Sequence, residues 1–358
     1  MKFPAEINWP ITLCIGSLFA IGLLVIYSSA KDLAILQSIY GVVGLIFFIV
    51  LSQFDYRIFK SSVYVLYVVI LLLLLLTLVL GFETRGTIRW IPLGLFNIQP
   101  SEFTKPILIL LLARFWSENI PNWQNIIKSF LWVLIPGFLI YKQPDLGTFL
   151  TVLAIWLGLL FAARISFKKI LVLCLVTLLT FPIAWLTLHD YQRQRITSFL
   201  SPGSDPLGTG YNIIQSTIAV GSGQLLGRGL GHGTQSRLQF LPEFRTDFIF
   251  ASIAEEMGFL GTLLILLIYF YLFTYCLRQA QNSSDAFGYL IIFGAVSMLF
   301  FQTAVNIGMN LGLFPITGIT LPLISYGGSS LISTMILLGI IVSVIRYRKS
   351  IDMGSGDG

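Results

Sequence analysis

The feature that most constrains this chain is a series of long apolar runs that contain no charged residue. The longest, residues 286–345, has no Asp, Glu, Lys or Arg. Because one helix needs about 20 apolar residues to cross a bilayer, this run is long enough for two crossings. Only 11% of the 358 residues are charged, against about 25% in a typical soluble domain. The sequence therefore predicts a polytopic membrane protein and excludes a soluble enzyme, a nucleic-acid-binding protein and a disulfide-stabilised domain.

About ten segments fit as membrane-crossing helices, which predicts an all-α polytopic fold with both termini on one side. Lys and Arg in the short loops lie mainly on the side of the termini, and the positive-inside rule makes that side cytoplasmic. Residues 1–350 are predicted to form a single membrane domain and residues 351–358 a flexible tail. The predicted spans are residues 10–30, 33–54, 61–82, 103–117, 128–142, 146–163, 169–188, 248–277, 286–309 and 320–345.

The long polar segment 189–247 falls between predicted spans 7 and 8, on the external side. It contains both histidines and five arginines, Arg193, Arg195, Arg228, Arg237 and Arg245. A segment of this length is uncommon as a simple connector in a compact fold. We therefore expect this large external loop to carry function.

A second external segment, residues 83–101, carries Arg89 and leads into Glu102 and Lys105. Ser101 can cap a helix that begins there, and Glu102 and Lys105 are three residues apart, so they share a face of that helix. One interpretation is a capped helix with an interfacial ion pair. The other is that Lys105 binds a phosphate.

Two aspartates precede predicted spans. Asp145 follows Gln143-Pro144 and is either a helix N-cap or a site residue. Asp247 follows Glu243 and Arg245 and lies at the membrane boundary. Ionisable residues at such positions are functional candidates, because burying them is costly unless they are paired.

Two glutamates, Glu255 and Glu256, lie deeper in the same apolar run as Asp247. We expect at least one to face a polar cavity or a cation, the alternative being a structural pair with a buried Lys or Arg. Ser325 belongs to a Gly-rich, hydroxyl-rich turn, Ser325-Tyr-Gly-Gly-Ser-Ser330, which by itself is more typical of a helix start than of a site. No P-loop, dinucleotide fingerprint or HExxH motif is present, so no organic cofactor is expected.

These residues favour an external cavity next to lipid that suits an anionic, lipid-linked ligand. In their order along nearly the whole chain, the motifs resemble the SEDS family (shape, elongation, division and sporulation) of peptidoglycan glycosyltransferases. The stretches around 215–216, 221–223, 231–236 and 240–243 resemble its elongation members, typified by RodA, more than its division members, typified by FtsW. The resemblance rests on Arg89-Trp-Ile91, Gln99-Pro-Ser-Glu102 with Lys105, Gln143-Pro-Asp145-Leu-Gly-Thr148, Asp205-Pro-Leu-Gly-Thr-Gly-Tyr211, Leu241-Pro-Glu243 with Thr246-Asp-Phe-Ile-Phe250, and Ile324-Ser-Tyr-Gly-Gly-Ser329.

The resemblance implies an enzyme that polymerises lipid II into glycan on the outer face of the bacterial cytoplasmic membrane during cell elongation. It implies that Asp247 is the catalytic base and that a class B penicillin-binding protein is the partner. A divalent cation, Mg²⁺ or Mn²⁺, is expected to be held by Asp145 and Glu243. The substrate-binding residues expected from the resemblance and from charge are Lys105, Glu102, Arg89, Asp145, Glu243, Arg245, Arg193, Arg195 and Ser325.

Two other functions use the same polar residues. A lipid II flippase would need polar groups that reach the cytoplasmic half of the membrane, whereas the candidates gather outside, apart from Glu255 and Glu256. A membrane scaffold for a penicillin-binding protein would do no chemistry and would not require Asp247 or Lys105.

Overall fold

The computed structural model describes residues 7–80, 82–84, 87–92, 97–188, 190–206, 208, 210–237 and 240–354. Helices dominate these residues, and three short strands form one antiparallel sheet in the order β1-β2-β3. The elements are α1 Trp9–Ser29, α2 Lys31–Gln53, α3 Arg57–Leu80, β1 Phe82–Thr84, β2 Thr87–Pro92, β3 Asn97–Ile98, α4 Pro100–Glu118, α5 Trp123–Lys142, α6 Leu146–Ala162, α7 Phe167–Thr187, α8 Asp190–Leu200, a 3₁₀ turn Pro202–Ser204, α9 Tyr211–Ser222, α10 Thr234–Arg237, α11 Ile249–Gln281, α12 Ala286–Asn310 and α13 Gly328–Gly354.

The predicted all-α polytopic fold is confirmed. Seven helices in the described part of the chain, α1, α2, α3, α5, α11, α12 and the Gly328–Tyr347 part of α13, are long and apolar enough to cross a membrane. The other three predicted spans coincide with α4, α6 and α7, of which α6 is apolar but only 17 residues long. The count of ten spans stays a prediction.

Helices α12 and α13 form the centre of the bundle, because most of their residues are buried while α1, α2, α3 and α5 bury fewer than half. The outer helices instead expose apolar side chains. On α3 these recur every seven residues, at Val65, Leu72 and Val79, which places them in one stripe along the helix. Such a stripe is suited to lipid, where apolar surface carries no penalty.

Between α12 and α13 the chain turns back into the bundle as an irregular segment, residues 311–327. The predicted span 320–345 is thus wrong in its first third, where Gly and Pro prevent a helix from starting before Gly328. The buried amide of Gln37 holds this re-entrant segment: its Nε2 donates to Ser325 O at 3.1 Å and its Oε1 accepts from Gly327 N at 3.2 Å. Irregular backbone at this depth is tolerated where protein groups satisfy it.

The C-terminal end of α13 lies past position 350, where a flexible tail is predicted. Helix α13 continues to Gly354, and residues 355–358 lie outside the described part. The division of the chain at residue 350 stays a prediction. Residues 189–247 are not one irregular loop, because they contain α8, α9 and α10. His189 lies outside the described residues.

Helix α11 is interrupted at Gly258, which has φ 67° and ψ −165°. The chain after α9 fills this break: Phe259 N donates to Gln224 O at 2.8 Å and Leu260 N to Leu225 O at 3.1 Å. A β-carbon on Gly258 would lie 2.2 Å from Gly227 N, so only glycine fits. The first part of α11, which follows Asp247, is therefore a separate short helix.

Replacing Gly258 by alanine is expected to lower the thermal unfolding midpoint, because the substitution adds both backbone strain and a clash with Gly227. Strain of this kind costs about 1–3 kcal/mol before the clash is counted. The matched control is Gly221→Ala on α9, where a β-carbon would meet nothing within 4 Å. Its midpoint should be unchanged or slightly raised. Equal midpoints for both detergent-solubilised variants would contradict this account of the break.

Candidate active site

Asp247 lies at the start of α11, next to its N-cap residue Phe248. A tight turn leads into it, in which Thr246 N and Phe248 N both donate to Glu243 O, at 3.1 and 3.2 Å. A β-carbon on Gly318 would lie 3.6 Å from Asp247 Oδ2, so the carboxylate rests on this glycine of the re-entrant segment. The left-handed φ of Gly318, +74°, favours glycine for a second reason. The fold thus places the half-buried Asp247 against a glycine, which has no side chain to displace the carboxylate.

Four charged residues act on the Asp247 carboxyl. Its pKa is raised to about 6, first by burial and then by the negative charge of Glu243, with a smaller contribution from Asp145. The positive charges of Arg195 and Arg89 act in the opposite direction. The fold therefore brings five of the residues expected from sequence into one electrostatic environment. A carboxylate with a pKa near the working pH is suited to general base catalysis.

With Asp247 as the catalytic base, the kcat/KM of the reaction it catalyses is expected to rise with pH through about 6 and to level off above it. The reason is that only the ionised Asp247 can accept a proton. An ordinary aspartate would give no change in this range. Two variants test the assignment with opposite signs: Glu243→Gln should move the midpoint down and Arg195→Gln should move it up. Profiles that coincide for all three proteins would refute it.

Asp145 is the N-cap of α6, as one of the two interpretations required. Its Oδ1 accepts from Thr148 N at 3.1 Å, and its Oδ2 accepts from Thr148 Oγ1 at 2.9 Å and from Gln99 Nε2 at 3.1 Å. Arg89 approaches it at 3.8 Å and also donates to Gln143 O and Pro144 O. Asp145 thus joins the starts of α4 and α6 and anchors Arg89 near Asp247.

A divalent cation held by Asp145 and Glu243 would have to share Asp145 with protein donors. Both oxygens of Asp145 already accept hydrogen bonds from protein groups. Within the described ranges, no three His, Cys, Asp or Glu residues are grouped so that they could hold a metal ion. The divalent cation stays a prediction from the sequence, and no step below uses one.

Glu102 and Lys105 form the ion pair that the sequence allowed, with 2.6 Å between Nζ and Oε2. Both residues are buried in the first two turns of α4, with Lys105 only 2% exposed. An ammonium has three donors, and Glu102 accepts one of them. The pair therefore has capacity for a further acceptor, although it lies beneath the surface of the site.

Three other expected residues are engaged elsewhere. Arg245 donates to Ser29 Oγ at 3.0 Å and Ser29 O at 3.1 Å and lies over the ring of Phe244, so it ties the turn before α11 to the end of α1. Arg193 donates to Trp185 O and Leu186 O at the end of α7. The Ser325 hydroxyl donates to Thr246 O at 2.6 Å and accepts from Leu321 N at 2.8 Å. Each has a structural role in these contacts.

Glu255 and Glu256 are bound by protein groups. Glu255 Oε1 accepts from Thr234 Oγ1 at 3.1 Å and Gln235 N at 2.9 Å. Both carboxylate oxygens of Glu256 lie within 3.1 Å of Ser28 Oγ. These partners belong to the segment 189–247 and to the last turn of α1. Glu255 therefore holds that segment, and Glu256 is bound to α1.

Two residues of this site were missed by sequence reasoning. Asn306 and Asn310 of α12 are fully buried, and both donate to Asp247 O, at 2.9 and 3.1 Å. Their signal was available: two amides four residues apart share a face of a helix inside the charge-free run 286–345.

Comparisons with known proteins agree with this fold. A family model described as a cell cycle protein, covering FtsW, RodA and SpoVE, matches residues 9–350. The chain belongs to this family. Its relatives include the peptidoglycan glycosyltransferase MrdB of Escherichia coli K12, 40% identical over 332 residues that cover 91% of this chain and 90% of the relative. Stage V sporulation protein E of Bacillus subtilis is 38% identical, with 93% and 95% covered.

Solved structures of the family are similar along almost the whole chain. A chain from a peptidoglycan synthase complex, described as coordinating polymerization and crosslinking, has a TM-score of 0.84 and 35% identity, covering 96% of this chain and 99% of that one. The rod shape determining protein RodA of Thermus thermophilus has a TM-score of 0.73 and 30% identity, covering 96% and 98%. The similarity to polytopic relatives supports a multi-pass membrane protein.

Proposed function

We propose that the Asp247 site of this peptidoglycan glycosyltransferase polymerises lipid II on the outer face of the cytoplasmic membrane during cell elongation. The observation that carries the proposal is the Asp247 carboxylate, whose pKa burial and Glu243 raise to about 6 and on which the positive charges of Arg195 and Arg89 also act. The names of MrdB and of the rod shape determining protein support the elongation role. Crosslinking by the synthase complex supports a class B penicillin-binding protein as partner.

In the proposed reaction, the 4-hydroxyl oxygen of one lipid-linked sugar attacks the anomeric carbon of another. A new glycosidic C–O bond forms as the C–O bond to pyrophosphate breaks, with inversion at the anomeric carbon. Asp247 takes the hydroxyl proton, and the lipid pyrophosphate leaves with the bonding electron pair. Arg89 and Arg195 stabilise the negative charge that develops on the leaving group.

The test is polymerisation of lipid II by the purified full-length protein in detergent, with and without a class B penicillin-binding protein, read as glycan polymer on a gel. Polymer is the expected result. Detergent abolishes two-sided transport, so a flippase or a scaffold would give none. No polymer from folded, partner-bound protein would overturn the proposal.

A further inference from the structure

The side-chain amide of Asn310 replaces a backbone hydrogen bond at the start of α11. One more helical turn would pair Ala251 N with Asp247 O, as residues i and i−4. Here Ala251 N donates to Asn310 Oδ1 at 3.1 Å, and Asp247 O accepts from Asn310 Nδ2 at 3.1 Å. The amide thus lies between the two groups and keeps Asp247 outside the helix. Ser216 Oγ, which donates to Asn310 O at 2.8 Å, ties this part of α12 to α9.

Asn306 fixes the other side of the same peptide. Its Nδ2 donates to Asp247 O at 2.9 Å and to Ile319 O at 2.7 Å. Ile319 follows Gly318, the glycine on which the carboxylate rests. One amide therefore holds both the residue that carries the carboxylate and the backbone beneath it, and sets the distance between them.

We propose that Asn306 and Asn310 are positioning residues that hold the Asp247 carboxylate in its proton-accepting geometry. This inference rests on the proposed function. Both amides are fully buried. Replacing Asn310 removes the acceptor of Ala251 N, and replacing Asn306 removes its donor to Ile319 O, while Asp247 O loses one of its two donors in either case. A displacement of about 1 Å in a catalytic group can cost about 100-fold in rate.

The experiment compares Asn306→Leu and Asn310→Leu with a matched control, Gln302→Leu. Gln302 is a buried amide one helical turn below Asn306 on α12, and it makes no hydrogen bond to any residue in the described part of the chain. Polymerisation of lipid II by the monodisperse, full-length proteins is measured as kcat, KM and pH profile. We expect kcat to fall about 10- to 100-fold in both asparagine variants with KM little changed, and the control to stay within about twofold.

The pH profile separates positioning from a structural loss. The charged groups that act on Asp247 are Glu243, Arg195, Arg89 and Asp145, and burial is the main cause of its raised pKa. A carboxylate released from its position gains solvent, so the midpoint should move below about 6. A purely structural loss would leave fewer folded molecules. That would lower the maximum rate in the pH profile and would not move its midpoint.

Asp247→Asn, measured in the same assay, distinguishes a failure of the proposed function from a failure of the positioning inference. Normal polymerisation by Asp247→Asn would overturn the proposed function itself. An inactive Asp247→Asn beside asparagine variants with normal kcat and an unchanged midpoint would overturn only the positioning inference. If the leucine variants do not give monodisperse protein, Asn306→Ala, which is smaller and has no side-chain donor, takes their place. A normal kcat for that variant would refute the inference equally.

Discussion

Asp247→Asn is expected to lower polymerisation of lipid II by at least about 100-fold while leaving the protein folded. The variant keeps the size of the side chain and cannot accept the proton, and removing a general base typically costs about 100- to 10,000-fold. Burial is the main cause that raises the pKa of Asp247 to about 6. The ionised form of this carboxyl is therefore destabilised in the folded protein. The neutral amide should therefore maintain or slightly raise thermal stability at pH 7.5.

The matched control for this experiment is Asp32→Asn. Asp32 is exposed in the first turn of α2 and should tolerate the substitution without loss of rate. Both variants are assayed as polymer formed per folded molecule. A well-folded Asp247→Asn protein with the parental rate would exclude Asp247 as the base.

The second large effect is expected at the buried pair of Glu102 and Lys105. Glu102→Gln leaves the ammonium of Lys105 without its counter-charge in the interior, and breaking a buried ion pair in this way typically costs about 3–5 kcal/mol. Lys105→Met should destabilise the protein through the orphaned carboxylate. The double variant removes both charges, and its stability should return close to that of the parent.

Activity distinguishes the two roles left open by the sequence. If Lys105 also binds pyrophosphate, the stable double variant will remain slow, with kcat reduced even at saturating lipid II. Thermal unfolding midpoints and kcat are measured on the same preparations. Recovery of both stability and kcat in the double variant would show that the pair is structural and that Lys105 does not bind pyrophosphate.

The fold was largely predictable because membrane-length apolar runs can become little other than helices. The errors lie where the backbone is irregular. Gly258 interrupts α11 without any nearby proline to indicate it, since the break depends on a loop more than thirty residues earlier in the chain. The start of α13 at Gly328 was hidden for a different reason, because the re-entrant segment before it is as apolar as a membrane span.

The site was predictable in its charged residues and less so in its geometry. Asp247, Asp145 and Arg89 were found from motifs, and the structure brings them together. Sequence could not show that the side chain of Arg245 is turned toward Ser29, because that choice depends on how the end of α1 packs against the external loop. Asn306 and Asn310 were missed because neutral amides attract less attention than charges inside an apolar run.

Four helices, α4, α6, α11 and α13, begin around this site, and their first turns are linked. Gln99, which precedes α4, donates from its backbone N to Ser329 Oγ of α13 and from its side-chain Nε2 to Asp145, the N-cap of α6. Asp247, before α11, lies over Gly318, whose neighbour Thr317 contacts Gly147 of α6. Each helix start carries about half a positive elementary charge from its aligned peptide dipoles. These partial charges are fixed in the backbone, so they do not titrate. Under the proposed function, the scaffold itself would therefore help to attract the diphosphate of the substrate, at every pH at which Asp247 changes its charge and even when one cationic side chain is removed.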